Sequence, residues 1–103
     1  MSAQGNENER ADFVLDIHGA FVRRTDLSYA NLERANLAYA DATNAIFRGA
    51  KFKGTNLKGT ILKGADLRDA KGLTAEQLAE AIVDETTLLP DYITREELVR
   101  LRR

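Results

Sequence analysis

From Leu15 onward, apolar and polar positions recur with a period of five. The chain divides without insertion into LDIHG, AFVRR, TDLSY, ANLER, ANLAY, ADATN, AIFRG, AKFKG, TNLKG, TILKG and ADLRD, followed by a partial AKG. The first position is small in nearly every unit: Ala20, Thr25, Ala30, Ala35, Ala40, Ala45, Ala50, Thr55, Thr60, Ala65 and Ala70. The third is apolar: Ile17, Val22, Leu27, Leu32, Leu37, Ala42, Phe47, Phe52, Leu57, Leu62 and Leu67. At about 100° per residue, positions five apart drift around an α-helix and form no stripe. A continuous strand returns to the same face every second residue, not every fifth. Two inward residues flanking an outward one make a short extended piece, and the remaining two positions must bend the chain. Repeated in one sense, such pieces close into coils that hydrogen-bond to the coils above and below. The pattern predicts a β-solenoid.

The bend positions agree with this reading. Gly49, Gly54, Gly59 and Gly64 stand at the fifth position, where a type II turn needs a positive φ. Arg24, Tyr29, Arg34, Tyr39 and Asn44 hold that place in earlier units, which predicts a different turn geometry in the first half of the array. Asp16, Asp26, Asn31, Asn36, Asp41, Asn56 and Asp66 occupy the second position, where short polar side chains support a bend by bonding nearby backbone. The small Ala42 precedes bulky Phe47 and Phe52, which suggests that core volume is shared between neighbouring units.

These tandem units, A-[DN]-[LF]-x-x over residues 15–70, resemble the pentapeptide-repeat family. The resemblance implies an all-β solenoid, a right-handed quadrilateral β-helix with four units and twenty residues per coil. Eleven units then make about 2.75 coils, a stack roughly 13 Å tall at the ~4.8 Å spacing of strands. Phe21, Ile46, Lys51 and Ile61 depart from the family pattern at the second position, and Ala42 at the third.

Three segments are expected: a polar leader and N-terminal lid at 1–14, the β-helix at 15–72, and a short α-helical C-terminal cap at 73–103. The first ten residues read as a disordered leader, with Phe13 and Val14 forming a lid over Leu15 and Ile17. In the tail, Thr74 with Gln77 reads as a capping box opening a helix over about 75–83, and Thr94 with Glu97 opens a second that carries Leu98 and Leu101. Leu73, Leu78, Ile82, Leu88 and Leu89 are expected to cover the last coil, since an open solenoid end invites association. A dimer-forming tail is the competing reading.

Composition narrows the function. The chain has 103 residues and no Cys, which leaves no disulfide framework or thiolate metal site. No apolar run approaches the ~18 residues of a membrane span, and the polar start is unlike a secretory signal, so a cytoplasmic location is expected. His18, the sole histidine, sits at an outward fourth position. One histidine without cysteine makes neither a zinc site nor a catalytic triad, so no enzyme, cofactor or metal is expected.

Charge is uneven. Residues 20–70 carry nine basic and five acidic groups, or +4, while residues 1–19 sum to −3 and residues 71–103 to −2. The resemblance raises a DNA-mimicking role toward gyrase or a related topoisomerase, but a mimic should be acidic where this array is basic. Direct nucleic-acid binding is disfavoured because Arg48, Lys53, Lys58 and Lys63 stand on successive sides of a four-sided coil. What remains is a non-catalytic interaction module or scaffold, with a protein partner or self-association as monomer or dimer. A structural subunit of a larger assembly is the other alternative. Phe21 and Ile61, sharing a face across Asp41, are candidate contact residues, as are Tyr29 and Tyr39, two corners apart.

Overall fold

The computed structural model describes residues 14–102; the expected leader and Phe13 lie outside them. Parallel bridges join residues twenty apart and sort the second positions into four columns. The first wall carries Asp16, Asn36 and Asn56, and the second carries Phe21, Asp41 and Ile61. The third carries Asp26, Ile46 and Asp66, and the fourth Asn31, Lys51 and Lys71. A coil is therefore twenty residues with four five-residue sides. Each side has so few extended residues that the ladder consists of isolated bridges rather than strands.

Every backbone amide of a standard unit can be accounted for. The third-position amide donates to the coil below, as Ile17 does to the Asn36 carbonyl at 2.9 Å. The fifth-position amide does likewise, as Gly19 to Ala38 at 2.9 Å, and the second-position amide donates upward, as Asn36 to Leu15 at 2.7 Å. The first-position amide closes the corner onto the preceding third-position carbonyl, as Ala20 does to Ile17 at 3.1 Å. The fourth-position amide is taken by the Asp or Asn side chain two residues back: Ser28 by Asp26 at 3.0 Å, Ala38 by Asn36 at 3.0 Å, Lys58 by Asn56 at 3.0 Å. Buried backbone groups must find partners, and a five-residue unit with Asp or Asn at its second place supplies all of them.

The expected change of turn geometry does not occur. Arg24, Tyr29, Arg34, Tyr39, Asn44 and Asp69 adopt φ of 57–64°, alongside 66–71° at the fifth-position glycines. The same corner hydrogen bond recurs at each unit from Ala20 to Ala70. What alternates is side-chain volume along each corner. A Cβ built on Gly49 would lie 2.5 Å from the Tyr29 ring, and one on Gly59 would lie 2.5 Å from the Tyr39 ring. A bulky residue in one coil thus lies over a glycine in the next. The glycines of the second half give space as well as a left-handed backbone.

The core runs up the axis. Leu32, Leu37, Ala42, Phe47, Phe52, Leu57, Leu62 and Leu67 are fully buried, while Ile17, Val22 and Leu27 of the first coil are only half-buried. Phe47 and Phe52 meet edge to face, with centroids 5.5 Å apart and planes at 60°.

Below the last coil the tail differs from expectation. Helix α1 spans Ala75–Ala79 and stops well short of residue 83. The chain then returns to the ladder: Ile82 bridges Ile61, and Leu88 bridges Asp66. These bridges span 21 and 22 residues because α1 takes the place of one side and a turn follows. An open rung edge offers better backbone partners than another helical turn would. Ile82 and Leu88 consequently stand outward, 39% and 42% exposed, and the buried tail residues are Leu73, Ala75, Leu78, Ala81, Thr87, Pro90, Ile93 and Leu98. Leu89 is half-buried.

Both capping boxes form, at Thr74 with Gln77 and at Thr94 with Glu97, the latter opening helix α2 at Arg95–Leu101. Leu98 is buried in α2, whereas Leu101 is 45% exposed. Gln77 also donates to the Phe52 and Thr55 carbonyls at 2.7 and 3.0 Å, tying α1 to the coil above. Thr87 donates to Leu62 at 2.8 Å and Tyr92 to Ala70 at 2.7 Å. The Arg95 guanidinium reaches the carbonyls of Asp84 and Thr87.

Candidate interaction surface

The second position is where the sequence can serve the fold or forgo it. An Asp or Asn there satisfies an amide and faces water; its loss forfeits about 1 kcal/mol of local hydrogen bonding. Phe21, Ile46 and Ile61 cannot make that bond, and among the described residues the amides of Arg23, Arg48 and Lys63 have no protein acceptor. Phe21, which is almost wholly exposed, therefore brings the fold no gain in either term. Positions that break an otherwise regular rule are where function is expected to show.

These exceptions gather in space. Phe21, Ile61 and Ile82 stand on the second wall, with Ile46 and Leu88 on the adjoining third wall. Phe21 is 82% exposed and Ile46 37%, while Ile61 is half-buried. The first and fourth walls present only polar or charged residues at this position. Carboxylates intervene in the columns, at Asp41 between Phe21 and Ile61 and at Asp26 and Asp66 flanking Ile46. Hydrogen bonds from Thr43 hold the Asp41 carboxyl below its usual pKa, and Ser28 and Arg68 do the same for Asp26 and Asp66. The surface is a chequer of apolar groups and fixed anions, with Arg23 3.7 Å from Asp41 and Arg68 2.8 Å from Asp66.

Tyr39 stands at the corner where the first wall meets the second, and Tyr29 at the corner where the third meets the fourth. They occupy opposite corners, half a coil apart, with rings over Gly49 and Gly59. Phe21 and Ile61 share the second wall, two rungs apart across Asp41, while the two tyrosines are half a coil from each other. Ile46 was legible as a departure from the repeat. Ile82 and Leu88 were not, because their outward placement depends on the register shift that α1 introduces.

Elsewhere, His18 Nδ1 lies 2.7 Å from Asp16 on an exposed edge, and this hydrogen bond lowers the Asp16 pKa. Among the described residues no group of three His, Asp or Glu side chains is placed to hold a metal ion, and no helix is long and apolar enough to cross a membrane.

A model of pentapeptide repeats matches residues 30–69 in eight copies. A crystal structure of the pentapeptide repeat protein Rfr23 from the cyanobacterium Cyanothece 51142 is similar at a TM-score of 0.64 and 26% identity. The match covers 75% of this chain and 52% of that one, so the chain spans about half its length. The pentapeptide repeat protein alr5209 from Nostoc Pcc 7120 aligns at 20% identity over 99% of this chain and 93% of that one, with a TM-score of 0.27. No curated protein matches.

Proposed function

The chain belongs to the pentapeptide-repeat proteins through the array at residues 30–69, and on that premise we propose that it is a non-catalytic protein-interaction module. In this reading residues 15–72 form a right-handed quadrilateral β-helix, and the helices of residues 73–103 close its last coil. The protein works in the cytoplasm, and a protein partner or a second copy docks on the second and third walls. One observation carries the proposal: Phe21, Ile46 and Ile61 give up a turn-supporting hydrogen bond to place apolar groups outward on adjoining walls, and Ile82 and Leu88 extend the same two columns. Such exposed apolar groups are what an interface buries, with Phe21 as its aromatic anchor.

The test is the double change Phe21→Ser and Ile61→Ser. Both side chains face outward, so circular dichroism should be unchanged while the complex recovered by affinity purification, or the self-association seen by sedimentation, is lost. Unaltered purification and sedimentation profiles would refute the proposal.

A further inference from the structure

The wall opposite Phe21 breaks the same rule in a different chemical sense. In the column Asn31, Lys51, Lys71, two of three second positions are lysine. Lysine cannot accept the fourth-position amide, and among the described residues the Lys53 amide has no protein acceptor. Lys51 therefore gives its turn no side-chain hydrogen bond. At the corner beside them, the Arg34 amide donates to the Lys53 carbonyl at 2.8 Å, which sets these two cations on neighbouring positions of adjacent coils, with Arg34 itself over Gly54.

Lys51 and Lys71 thus form one column, with rungs about 4.8 Å apart, and Arg34 and Lys53 stand at the corner beside it. None of the four makes an ion pair among the described residues, whereas Arg48 and Arg68 are paired to Asp69 and Asp66 at 2.7 and 2.8 Å. Glu33 is the one acidic residue on this wall, above Lys53. The basic residues do ring the prism, as Arg48, Lys53, Lys58 and Lys63 on its four corners show. Of the seven array cations with no ion pair among the described residues, Arg34, Lys51, Lys53 and Lys71 share the fourth wall and its corner, and Arg24, Lys58 and Lys63 stand on other corners.

We propose that the fourth wall is a docking surface for a short acidic segment of another protein, separate from the apolar surface on the second and third walls. Charge complementarity selects an acidic occupant, and the size of the patch selects a short one. Four cations can neutralise about four phosphates, short of the roughly 6–10 contacts that underlie strong, salt-dependent nucleic-acid binding. The patch is also bounded by anions, because Asp69 and Asp91 line the same hollow as Lys71. A long polyanion running down the wall would meet them. A few alternating carboxylates on an extended peptide would not.

Fluorescence anisotropy with a labelled peptide of alternating glutamate and serine tests this on the full chain. The peptide should bind in a salt-sensitive manner, and its glutamine counterpart should not. Lys51→Glu with Lys71→Glu should weaken binding about tenfold or more, whereas Lys58→Glu with Lys63→Glu, on other corners, should leave it nearly intact. In the unaltered protein, amide shifts on peptide addition should centre on residues 34, 51, 53 and 71, a readout that requires no variant to fold. Phe21→Ser with Ile61→Ser should not affect binding, which separates this result from that of the apolar surface. Absence of binding, equal losses from the two lysine pairs, or tighter binding of a DNA duplex through the same wall would each overturn the proposal.

Discussion

The two ends of the coil stack are built from the same repeat and finish differently. At the C-terminal end the tail engages the last rung: Leu62 and Leu67 donate to the carbonyls of Ile82 and Leu88, and Leu78 and Leu98 pack into the core. At the other end the equivalent inward residues, Ile17, Val22 and Leu27, are half-buried, and among the described residues the amides of Phe21, Asp26 and Asn31 donate to no backbone carbonyl. The tail closes its end by imitating the array. Thr87 donates to the Leu62 carbonyl as Thr55 and Thr60 donate to Leu32 and Leu37, and Gln77 reaches two carbonyls that a further side would have engaged. A repeat satisfies its neighbours but cannot satisfy its own last copy, so a terminus needs non-repeating sequence that supplies the same partners.

Matched substitutions test this contrast most strongly in the core. Leu67 and Leu27 share a column of inward residues at opposite ends, the first fully buried and the second half-buried. Leu67→Ala should cost about 3 kcal/mol and Leu27→Ala about 1 kcal/mol in urea unfolding. Equal losses would mean that the N-terminal end is as tightly closed as the other.

A smaller difference is expected at one corner column. Gly19 and Gly59 both have a left-handed backbone, with φ of 70° and 66°, but a Cβ at Gly19 meets nothing within 4 Å while one at Gly59 meets Tyr39. Gly19→Ala should cost about 1 kcal/mol from backbone strain alone. Gly59→Ala should cost about 2 kcal/mol, because the ring must also leave its seat. Thermal melts that rank the two equally would show that the tyrosine does not pack on the corner.

Acid should affect both ends alike, and least. Hydrogen bonds from His18, Ser28 and Thr86 lower the pKa of Asp16, Asp26 and Asp84 respectively, from an ordinary value of 3.8. Because the folded values lie below the unfolded one, this stabilisation is complete above about pH 5 and is lost as pH falls below about 4. The urea midpoint should be flat at neutral pH and decline on acidification, with the amides of Ser28 and Thr86 losing exchange protection together. A midpoint that rises with acid would contradict the assignment.

Much of this architecture was legible in the residues. Period five with small first and apolar third positions specified a coil, because nothing else places those residues on one axis. Asp and Asn at the second position announced the bends they support. The corners misled, since Arg24 and Tyr29 adopt the same positive φ as the glycines. The stacked backbone imposes that φ, and side-chain volume in the neighbouring coil decides where glycine is required. Phe21 and Ile61 could be assigned to one face from a twenty-residue period alone, whereas the addition of Ile46 needed the four walls side by side.

What the sequence determines by itself is the unit: which side chains face inward, which bend the chain, and which five-residue units break the rule. Those properties are local, set by alternation and turn chemistry within a few residues. The tertiary structure decides how units meet, and hence that apolar exceptions collect on two walls, that unpaired cations collect on a third, and that α1 shifts the register enough to turn Ile82 and Leu88 outward. Adjacency across coils joins residues twenty or more apart, and it exists only once the backbone ladder has fixed how many units close a turn.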